Sequence, residues 1–257
     1  MKITLLQTGI AWAKPLENQR RMELAMRRAE KSDLYVLPEM FSTGFATEPE
    51  GVAERDGSSL QWMKAMAGQL DAAVAGSVAV EVEGTYHNRL YFVKPDGNVT
   101  AYDKRHLFSY AGEQDSYTPG TERKVVEFRG VRFLLQVCYD LRFPVWSRCT
   151  DDYDCALYVA NWPASRRLAW DALLSARAIE NQCYICGVNR VGDDAVCHYD
   201  GGTKLVHPYG HALASVPDGE EGTATAEIDM EALRAFRMKF RVLQDRDLFS
   251  IETKTTE

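Results

Sequence analysis

The sequence predicts one mixed α/β (α+β) domain in which two β-sheets pack face to face and helices cover their outer faces. Three observations support this fold class. Helical and strand-like segments are mixed along the 257 residues, and hairpins occur beside longer crossover units. No repeat, low-complexity stretch or linker rich in Gly, Pro or Ser divides the chain. Because a sheet must bury an apolar face, two sheets packed together would bury this many strands.

The predicted elements of the N-terminal half are helices and strands in mixed order. Pro15 suits the first turn of a helix in which Met and Ala side chains share one face, and Ser58-Ser59 precede a second apolar stripe. A Pro-Asp-Gly-Asn turn at 95–98 separates two β-prone runs. The expected order is strand 3–8, helix 15–30, strand 34–37, helix 60–70, and strands 73–82, 90–93 and 99–102.

The C-terminal half begins with a predicted tight hairpin around Arg129-Gly130. The expected order is strands 125–128, 131–137 and 157–160, helix 165–181, strands 183–189, 203–207, 212–216 and 223–228, and a last helix at 230–237. In helix 165–181 the apolar periodicity predicts an inward face of Leu168, Ala172, Leu173, Ala176 and Ile179. We expect a single domain over residues 1–257, with residues 238–257 as a C-terminal extension and a loose polar tail at 252–257.

The composition is that of an ordinary globular protein, with 46% hydrophobic and 26% charged residues and a net charge of -7. The 30 Lys and Arg residues are scattered, so we expect neither nucleic acid nor a membrane surface as a partner. The N-terminus lacks the features of a signal peptide, and the six cysteines are expected to be free thiols of a cytoplasmic protein. Cys183 and Cys186 form a CxxC pattern within an apolar strand, which favours core thiols over a zinc site.

The first of three candidate motifs is LYVLPEMFSTGF at 34–45. Glu39 directly follows a buried strand, and apolar and aromatic residues come after it. Partial desolvation raises a carboxyl pKa and makes a useful proton acceptor and donor near neutral pH. A glutamate that only caps a loop or pairs with an arginine would give the same pattern.

The second motif is VTAYDKRHLF at 99–108. Lys104 follows a predicted strand, and Glu113 a little further on could position its ammonium group. A lysine in this place can stabilise a developing oxyanion. The alternative is a solvated, charged loop.

The third motif is RFLLQVCYDLRFPVW at 132–146. An apolar strand leads directly into Cys138, after which the chain becomes polar. A cysteine that enters a turn at a strand end can be an exposed nucleophile on a rigid backbone, provided that a base or a positive field activates the thiol. The alternative is a buried structural cysteine.

Together the three motifs supply a nucleophile, a base and a cation, each directly after a strand, where sheet proteins gather their active sites. VLPEMFSTGF, YDKRHLF and VCYDLRFP also resemble the three catalytic motifs of the nitrilase superfamily, and residues 157–192 resemble the same family. The resemblance covers nearly the whole chain, and within the family it is strongest to the bacterial omega-amidases.

The resemblance implies a Glu-Lys-Cys triad of Glu39, Lys104 and Cys138, with Glu113 as a supporting glutamate. It also implies a four-layer α-β-β-α sandwich, a homodimer that pairs through its α face, and no metal or organic cofactor. In the implied reaction Glu39 takes the thiol proton, and the Lys104 ammonium and the backbone N–H of Tyr139 hold the oxyanion.

The resemblance further suggests a small-molecule substrate, the terminal amide of 2-oxoglutaramate or 2-oxosuccinamate. Both amides carry a carboxylate at the far end, so a cation is expected in the pocket. Arg142, Arg166 and Arg167 are the candidates, although Arg142 could instead pair with Asp140 and the other two could be solvated helix residues. Side chains that could either line the pocket or belong to the core are Phe41, Tyr117 and Trp162.

Other functions share parts of this pattern. A nitrilase, a carbamoylase or another amidase of the superfamily would have the same triad and differ only in pocket shape. A binding module built on the same scaffold would be expected to have lost a triad member, and none is lost. A nucleotide-binding α/β domain is disfavoured because neither G-x-G-x-x-G nor G-x-x-x-x-G-K-[ST] occurs.

Overall fold

Two six-stranded sheets form the centre of the fold in the computed structural model, which describes residues 1–252. Most of the expected polar tail, residues 253–257, lies outside the described residues. The strands are β1 (Lys2–Gln7), β2 (Leu34–Val36), β3 (Ala73–Val82), β4 (Thr85–Val93), β5 (Val99–Asp103), β6 (Val125–Phe128), β7 (Val131–Val137), β8 (Cys155–Ala160), β9 (Tyr184–Asn189), β10 (Val191–Asp193), β11 (His198–Asp200), β12 (Lys204–Val206), β13 (Ala212–Ser215) and β14 (Gly222–Glu227).

The α-helices are α1 (Pro15–Arg28), α2 (Ser58–Leu70), α3 (Glu113–Ser116), α4 (Pro144–Ser147), α5 (Arg167–Asn181) and α6 (Met230–Lys239). Short 3₁₀ segments occur at Ser109–Ala111, Cys138–Arg142, Ala164–Arg166 and Val242–Gln244. Every helix and strand expected from the sequence is found, with ends displaced by a few residues at most, except for strand 90–93, which begins five residues earlier in β4. The sequence patterns missed the β10–β11 ribbon and the short helical segments because these are too short to show a period.

The two sheets have matching topologies. The first has the strand order β14-β1-β2-β3-β4-β5, and the second has the order β13-β12-β9-β8-β7-β6. In each sheet three central strands are parallel, β1-β2-β3 and β7-β8-β9, and the outer strands pair antiparallel to them. Because parallel strands end at the same edge, residues that follow β7, β8 and β9 are neighbours.

The inner faces of the two sheets pack against each other. Leu5, Val36 and Phe92 of the first sheet share one buried cluster with Phe133 and Leu157 of the second. Methionines of α1 and α2 pack on the outer face of the first sheet, and α5 covers the outer face of the second. The layers are therefore helix, sheet, sheet and helix, as expected for an α-β-β-α sandwich.

The buried face of α5 differs from the expected one. Leu168 is 85% exposed and Ile179 is 55% exposed, whereas the buried residues are Trp170, Leu174, Arg177, Ala178 and Asn181. Two of these are polar and bind other segments: Arg177 Nη2 donates to the Leu141 carbonyl, and the Asn181 side-chain oxygen accepts from the Cys149 N–H. The expected face was wrong because apolar periodicity cannot detect buried polar groups that find partners on other segments.

All six cysteines are free, and five of them, including Cys183 and Cys186, are buried. The expectation of free thiols, with the CxxC pair in the core, is therefore confirmed. Within residues 1–252 no helix has both the length and the apolar character that crossing a membrane requires.

Candidate active site

Glu39 lies beyond the end of β2 with its carboxylate fully buried. The chain turns sharply after it, with Met40 in the left-handed region at φ 43° and its N–H bonded to the Ser77 hydroxyl at 2.9 Å. Glu39 Oε1 accepts from the Asn88 side-chain amide at 2.8 Å, and Oε2 accepts from the backbone N–H of Asn161 at 2.8 Å. Both oxygens are thus held in one orientation inside the fold.

Lys104 follows β5 and is also fully buried. Its Nζ donates to Glu39 Oε1 at 2.9 Å and to Glu113 Oε2 at 2.8 Å. Burial alone would lower the pKa of this ammonium, but the two carboxylates outweigh burial and raise the pKa above its ordinary value. Lys104 therefore remains a cation and cannot serve as a proton acceptor near neutral pH.

Glu113 lies at the start of α3 and is fully buried. Its Oε2 also accepts from the Phe108 N–H at 2.6 Å, which fixes the carboxylate against the lysine. Burial raises the pKa of Glu113 and so does the Glu39 charge, while Lys104 acts in the opposite direction. One ammonium between two carboxylates gives the cluster a net negative charge when both acids are ionised.

Cys138 follows β7 and begins a 3₁₀ segment in the left-handed conformation, with φ 44°. For a residue other than glycine this conformation is strained and needs support from its surroundings. Asp140 supplies that support, because its carboxylate accepts from the Val137 N–H at 2.9 Å, from the Tyr102 hydroxyl at 2.8 Å and from the His106 N–H at 2.9 Å. The thiol is consequently held at one place at the strand end.

The charges of Glu39, Lys104 and Glu113 act on the Cys138 thiol. Burial raises its pKa well above the ordinary value, the Glu39 carboxylate raises it further, and the Lys104 ammonium offsets only part of the effect. The thiol also approaches the Asn161 carbonyl, with Sγ at 4.0 Å from the oxygen. The resting thiol is therefore protonated, and attack on a substrate requires a base that takes the proton during the reaction.

The thiol faces a cavity of about 610 Å³. Its wall is mainly apolar and aromatic, and it includes Phe45 and Phe108. Of the residues expected at the substrate, Tyr139, Trp162, Arg142 and Arg166 line this cavity. The arrangement can hold a small molecule with one end against Cys138 and with cationic side chains elsewhere in the wall.

Several expected pocket residues lie elsewhere. Phe41 is fully buried in the core and packs against Trp62, with the two rings tilted and their centroids 5.5 Å apart. Tyr117 is buried in a separate cluster and donates its hydroxyl to the Ala46 carbonyl at 2.6 Å. Arg167 is surrounded by the carboxylates of Asp171, Asp200 and Asp218, which occupy its guanidinium.

The suggested pairing of Arg142 with Asp140 is also absent from the described chain. The Asp140 carboxylate is already taken up by the donors that support Cys138, and Arg142 lies over the Trp162 ring at 4.9 Å from its centroid. The Arg142 guanidinium therefore belongs to the cavity wall.

Sequence reasoning missed four residues of the site. Asn161 follows β8 and Arg190 follows β9, so both lie beside Cys138 at the shared edge of the second sheet. Asn88 donates to the Glu39 carboxylate, and the Asp140 carboxylate accepts from the Val137 N–H directly before Cys138. The strand-end rule that singled out Glu39 and Cys138 would have found Asn161 and Arg190 as well, since each directly follows a predicted strand.

Comparisons with known proteins agree with this fold. The carbon-nitrogen hydrolase family model matches residues 2–238. The omega-amidase YafV of Escherichia coli (strain K12) is 48% identical over 98% of each chain. The 2-oxoglutaramate amidase of Bacillus subtilis (strain 168) is 35% identical over 96% of this chain and 98% of its own.

A crystal structure of similar fold is XC1258 from Xanthomonas campestris, a CN-hydrolase superfamily protein with an arsenic adduct in its active site. It is 40% identical and aligns with a TM-score of 0.94 over 98% of this chain and 99% of that one. The chain therefore belongs to the carbon-nitrogen hydrolase family, within the nitrilase superfamily. More specifically, it is an amidohydrolase close to the omega-amidases.

Proposed function

We propose that this protein hydrolyses the terminal carboxamide of a small oxo-dicarboxylic acid monoamide, such as 2-oxoglutaramate or 2-oxosuccinamate, to the dicarboxylate and ammonia. The observation that carries the proposal is the cavity of about 610 Å³, whose mainly apolar wall contains both the Cys138 thiol and arginine side chains. An amide with a carboxylate at its far end uses both features. The names of the relatives from Escherichia coli and Bacillus subtilis support the same substrate class.

Acylation begins with proton transfer from Cys138 to Glu39, the carboxylate that faces the thiol. Sγ attacks the amide carbon, and the carbonyl oxygen becomes an oxyanion. The Lys104 ammonium and the backbone N–H of Tyr139, which lies in the unpaired first turn of the 3₁₀ segment, stabilise this charge. When the C–N bond breaks, Glu39 returns the proton to the leaving nitrogen, which departs as ammonia and leaves a thioester.

Deacylation uses the same groups in the same order. Glu39 takes a proton from a water molecule, and the resulting hydroxide attacks the thioester carbon. The oxyanion forms again near Lys104, the C–S bond breaks, and the proton on Glu39 returns to sulfur. Glu113 acts as a positioning residue, because both of its carboxylate oxygens accept from the Lys104 ammonium.

The test is ammonia release from 2-oxoglutaramate, glutamine and a simple nitrile. We expect rapid release from the oxo-amide alone and its loss in Cys138→Ala. Cys197→Ala is the matched control, since Cys197 lies in the same cavity wall and is expected to be dispensable. Activity that survives in Cys138→Ala would contradict the mechanism, and turnover of the nitrile in place of the oxo-amide would contradict the substrate.

We also propose that two copies pair through the outer helical layer in the cytoplasm. Leu168 and Ile179 of α5, together with Met238 and Phe240 at the end of α6, leave apolar side chains exposed on this layer. Sedimentation of the native protein is expected to give twice the chain mass, and Leu168→Arg with Ile179→Arg is expected to give the monomer. A native monomer at micromolar concentration would contradict the pairing.

A further inference from the structure

Arg190 differs from the other arginines of the cavity wall in its surroundings. It is only 2% exposed, yet it lines the cavity that contains Cys138. Within residues 1–252 it forms no ion pair and donates only to backbone carbonyls, although buried arginines normally have a carboxylate partner. Burial lowers the pKa of its guanidinium, although the Tyr199, Asp194 and Asp193 side chains act in the opposite direction.

Backbone carbonyls hold the Arg190 guanidinium on one side. Nε donates to the Val191 carbonyl at 3.3 Å, and Nη2 donates to the carbonyls of Ile10 at 3.2 Å and Asp193 at 3.3 Å. In the described chain Nη1 donates to nothing. The guanidinium also packs on the Tyr199 ring at 4.5 Å from its centroid, so its orientation is set before any ligand arrives.

The nearby acids are engaged with other donors. The Asp193 carboxylate contacts His198, and the Asp194 carboxylate accepts from the Tyr199 hydroxyl and from the Cys197 N–H. They lower the cost of burying the cation without pairing with it. The Arg190 guanidinium can therefore donate to one further carboxylate, and a ligand carboxylate can reach it from the cavity.

The position of Arg190 in the second sheet suits the far end of a short substrate. Cys138 follows β7 and Arg190 follows β9, and the two parallel strands are separated only by β8. Two strand spacings amount to about 10 Å between the backbone positions. A short dicarboxylic chain with its amide at Cys138 can therefore extend along the strand ends towards Arg190.

We infer that Arg190 is the specificity-determining residue that binds the far carboxylate of the substrate, an inference that rests on the proposed function. Arg142 is exposed and lies on Trp162, and Arg166 lies over Phe108 and Tyr110. A carboxylate at either of these sites stays in contact with water, which weakens the interaction. At Arg190 the substrate carboxylate would act as the counter-ion of a guanidinium that is already buried and held in one orientation.

The test compares two amides of equal chain length, glutaramate and pentanamide, which differ only in the far carboxylate. The readout is the ratio of their kcat/KM values. Native protein is expected to prefer glutaramate, and Arg190→Gln is expected to lower the ratio roughly 10- to 100-fold, the loss typical of a charge-assisted hydrogen bond. Arg190→Lys, which keeps a charge without the planar fork, is expected to restore part of the ratio.

A purely structural role for Arg190 would lower both kcat/KM values by the same factor and leave the ratio unchanged, and that result would overturn the inference. A complementary variant does not depend on how well Arg190→Gln folds. Replacing Arg142 and Arg166 together by Gln is expected to leave most of the preference for glutaramate, because Arg190 remains. Collapse of the preference in this double variant would also overturn the inference.

A failure of the proposed function gives a different result. If native protein hydrolyses another amide but no acid amide, carboxylate binding is measured by protection of Cys138 from iodoacetamide, followed by mass spectrometry. Protection by glutarate in native protein that is lost in Arg190→Gln supports Arg190 as a carboxylate site. Absence of protection in native protein overturns the inference.

Discussion

The two sheets contribute different kinds of groups to the active site. The first sheet supplies Glu39, Lys104 and Asn88, which are buried and bonded to one another. The second sheet supplies Cys138, Asn161 and Arg190, which line the cavity. The topologies match, but in the proposed mechanism the first sheet holds the base and the ammonium, and the second presents the nucleophile and the surface that meets the substrate. Changes on the first sheet should therefore lower kcat and stability, and changes on the second sheet, apart from the nucleophile Cys138, should alter selectivity.

After the loss of activity expected for Cys138→Ala, the largest effect is expected for Glu39→Gln. The glutamine cannot take the thiol proton. In either orientation its side-chain NH2 group would also face another hydrogen-bond donor, Lys104 Nζ or the Asn161 N–H. We expect kcat to fall about 10²- to 10⁴-fold, the range typical of general acid–base catalysis. Steady-state ammonia release measures the loss, with Glu30→Gln as a surface control. A kcat within tenfold of native would show that another group acts as the base.

Lys104→Met tests the charge balance of the first sheet. It leaves the carboxylates of Glu39 and Glu113 buried without their shared cation, which typically costs about 3–5 kcal/mol. Repulsion and burial raise the pKa of the carboxyl that becomes protonated, so the penalty should shrink as pH falls from 8 to 5. Urea unfolding at the two pH values measures this change.

The control for that measurement is Lys124→Met, because the partner of Lys124 is the exposed Glu122. Its effect is expected to stay below about 1 kcal/mol at both pH values. Equal costs for Lys104→Met at pH 8 and pH 5 would contradict the view that two buried carboxylates depend on this one ammonium.

Sequence patterns were most informative where one strand and its end decide the structure. Glu39, Lys104 and Cys138 each follow a predicted strand, and the structure brings these three side chains together. Arg190 was missed although it also follows a strand, because an arginine without a counter-ion becomes unusual only when its burial is known. The sequence thus predicts which strand-end residues belong to this site. It does not predict their hydrogen-bond and ion-pair partners, because these lie on segments that are distant in sequence.

The wrong prediction of the buried face of α5 also arises from partners that lie on distant segments. Burial of Arg177 and Asn181 depends on a carbonyl at Leu141 and an N–H at Cys149, and neither belongs to the helix. The hydrophobic pattern assigned Leu168 and Ile179 to the core in their place. Apolar periodicity therefore predicted that a helix exists, but it could not predict which of its faces turns inward.

Gly120→Ala is expected to disturb Lys104 without altering any charge. A Cβ at Gly120 would lie 2.1 Å from the Asp103 carbonyl oxygen, a backbone atom directly before Lys104. The chain must shift, and we expect a loss of about 1–3 kcal/mol in stability together with a lower kcat. Gly68→Ala in α2 is the matched control, since its Cβ meets only an ordinary contact at 3.7 Å and should stabilise the helix slightly. An unchanged kcat in Gly120→Ala would mean that Lys104 tolerates displacement.

The smallest effect concerns the far side of the second sheet, where Asp154 joins β8 to α6. Its carboxylate accepts from Arg132 at 2.8 Å and from Arg237 at 3.1 Å. Burial opposes ionisation, but these hydrogen bonds outweigh it and lower the pKa of Asp154. A lowered pKa gives stability that is present above the unfolded pKa, about 3.9, and is lost as pH falls through the folded value. Asp154→Asn should therefore cost about 1–2 kcal/mol at pH 7 and progressively less below pH 4.

Urea unfolding of native protein and Asp154→Asn at pH 7 and pH 3 measures this difference. Asp151→Asn is the control, because Asp151 is exposed and lies 3.9 Å from the same Arg237. A cost for Asp154→Asn that persists undiminished at pH 3 would assign its role to packing. A cost that disappears at pH 3 would show that the Asp154 carboxylate contributes through its charge, since its ion pairs with Arg132 and Arg237 are lost in acid.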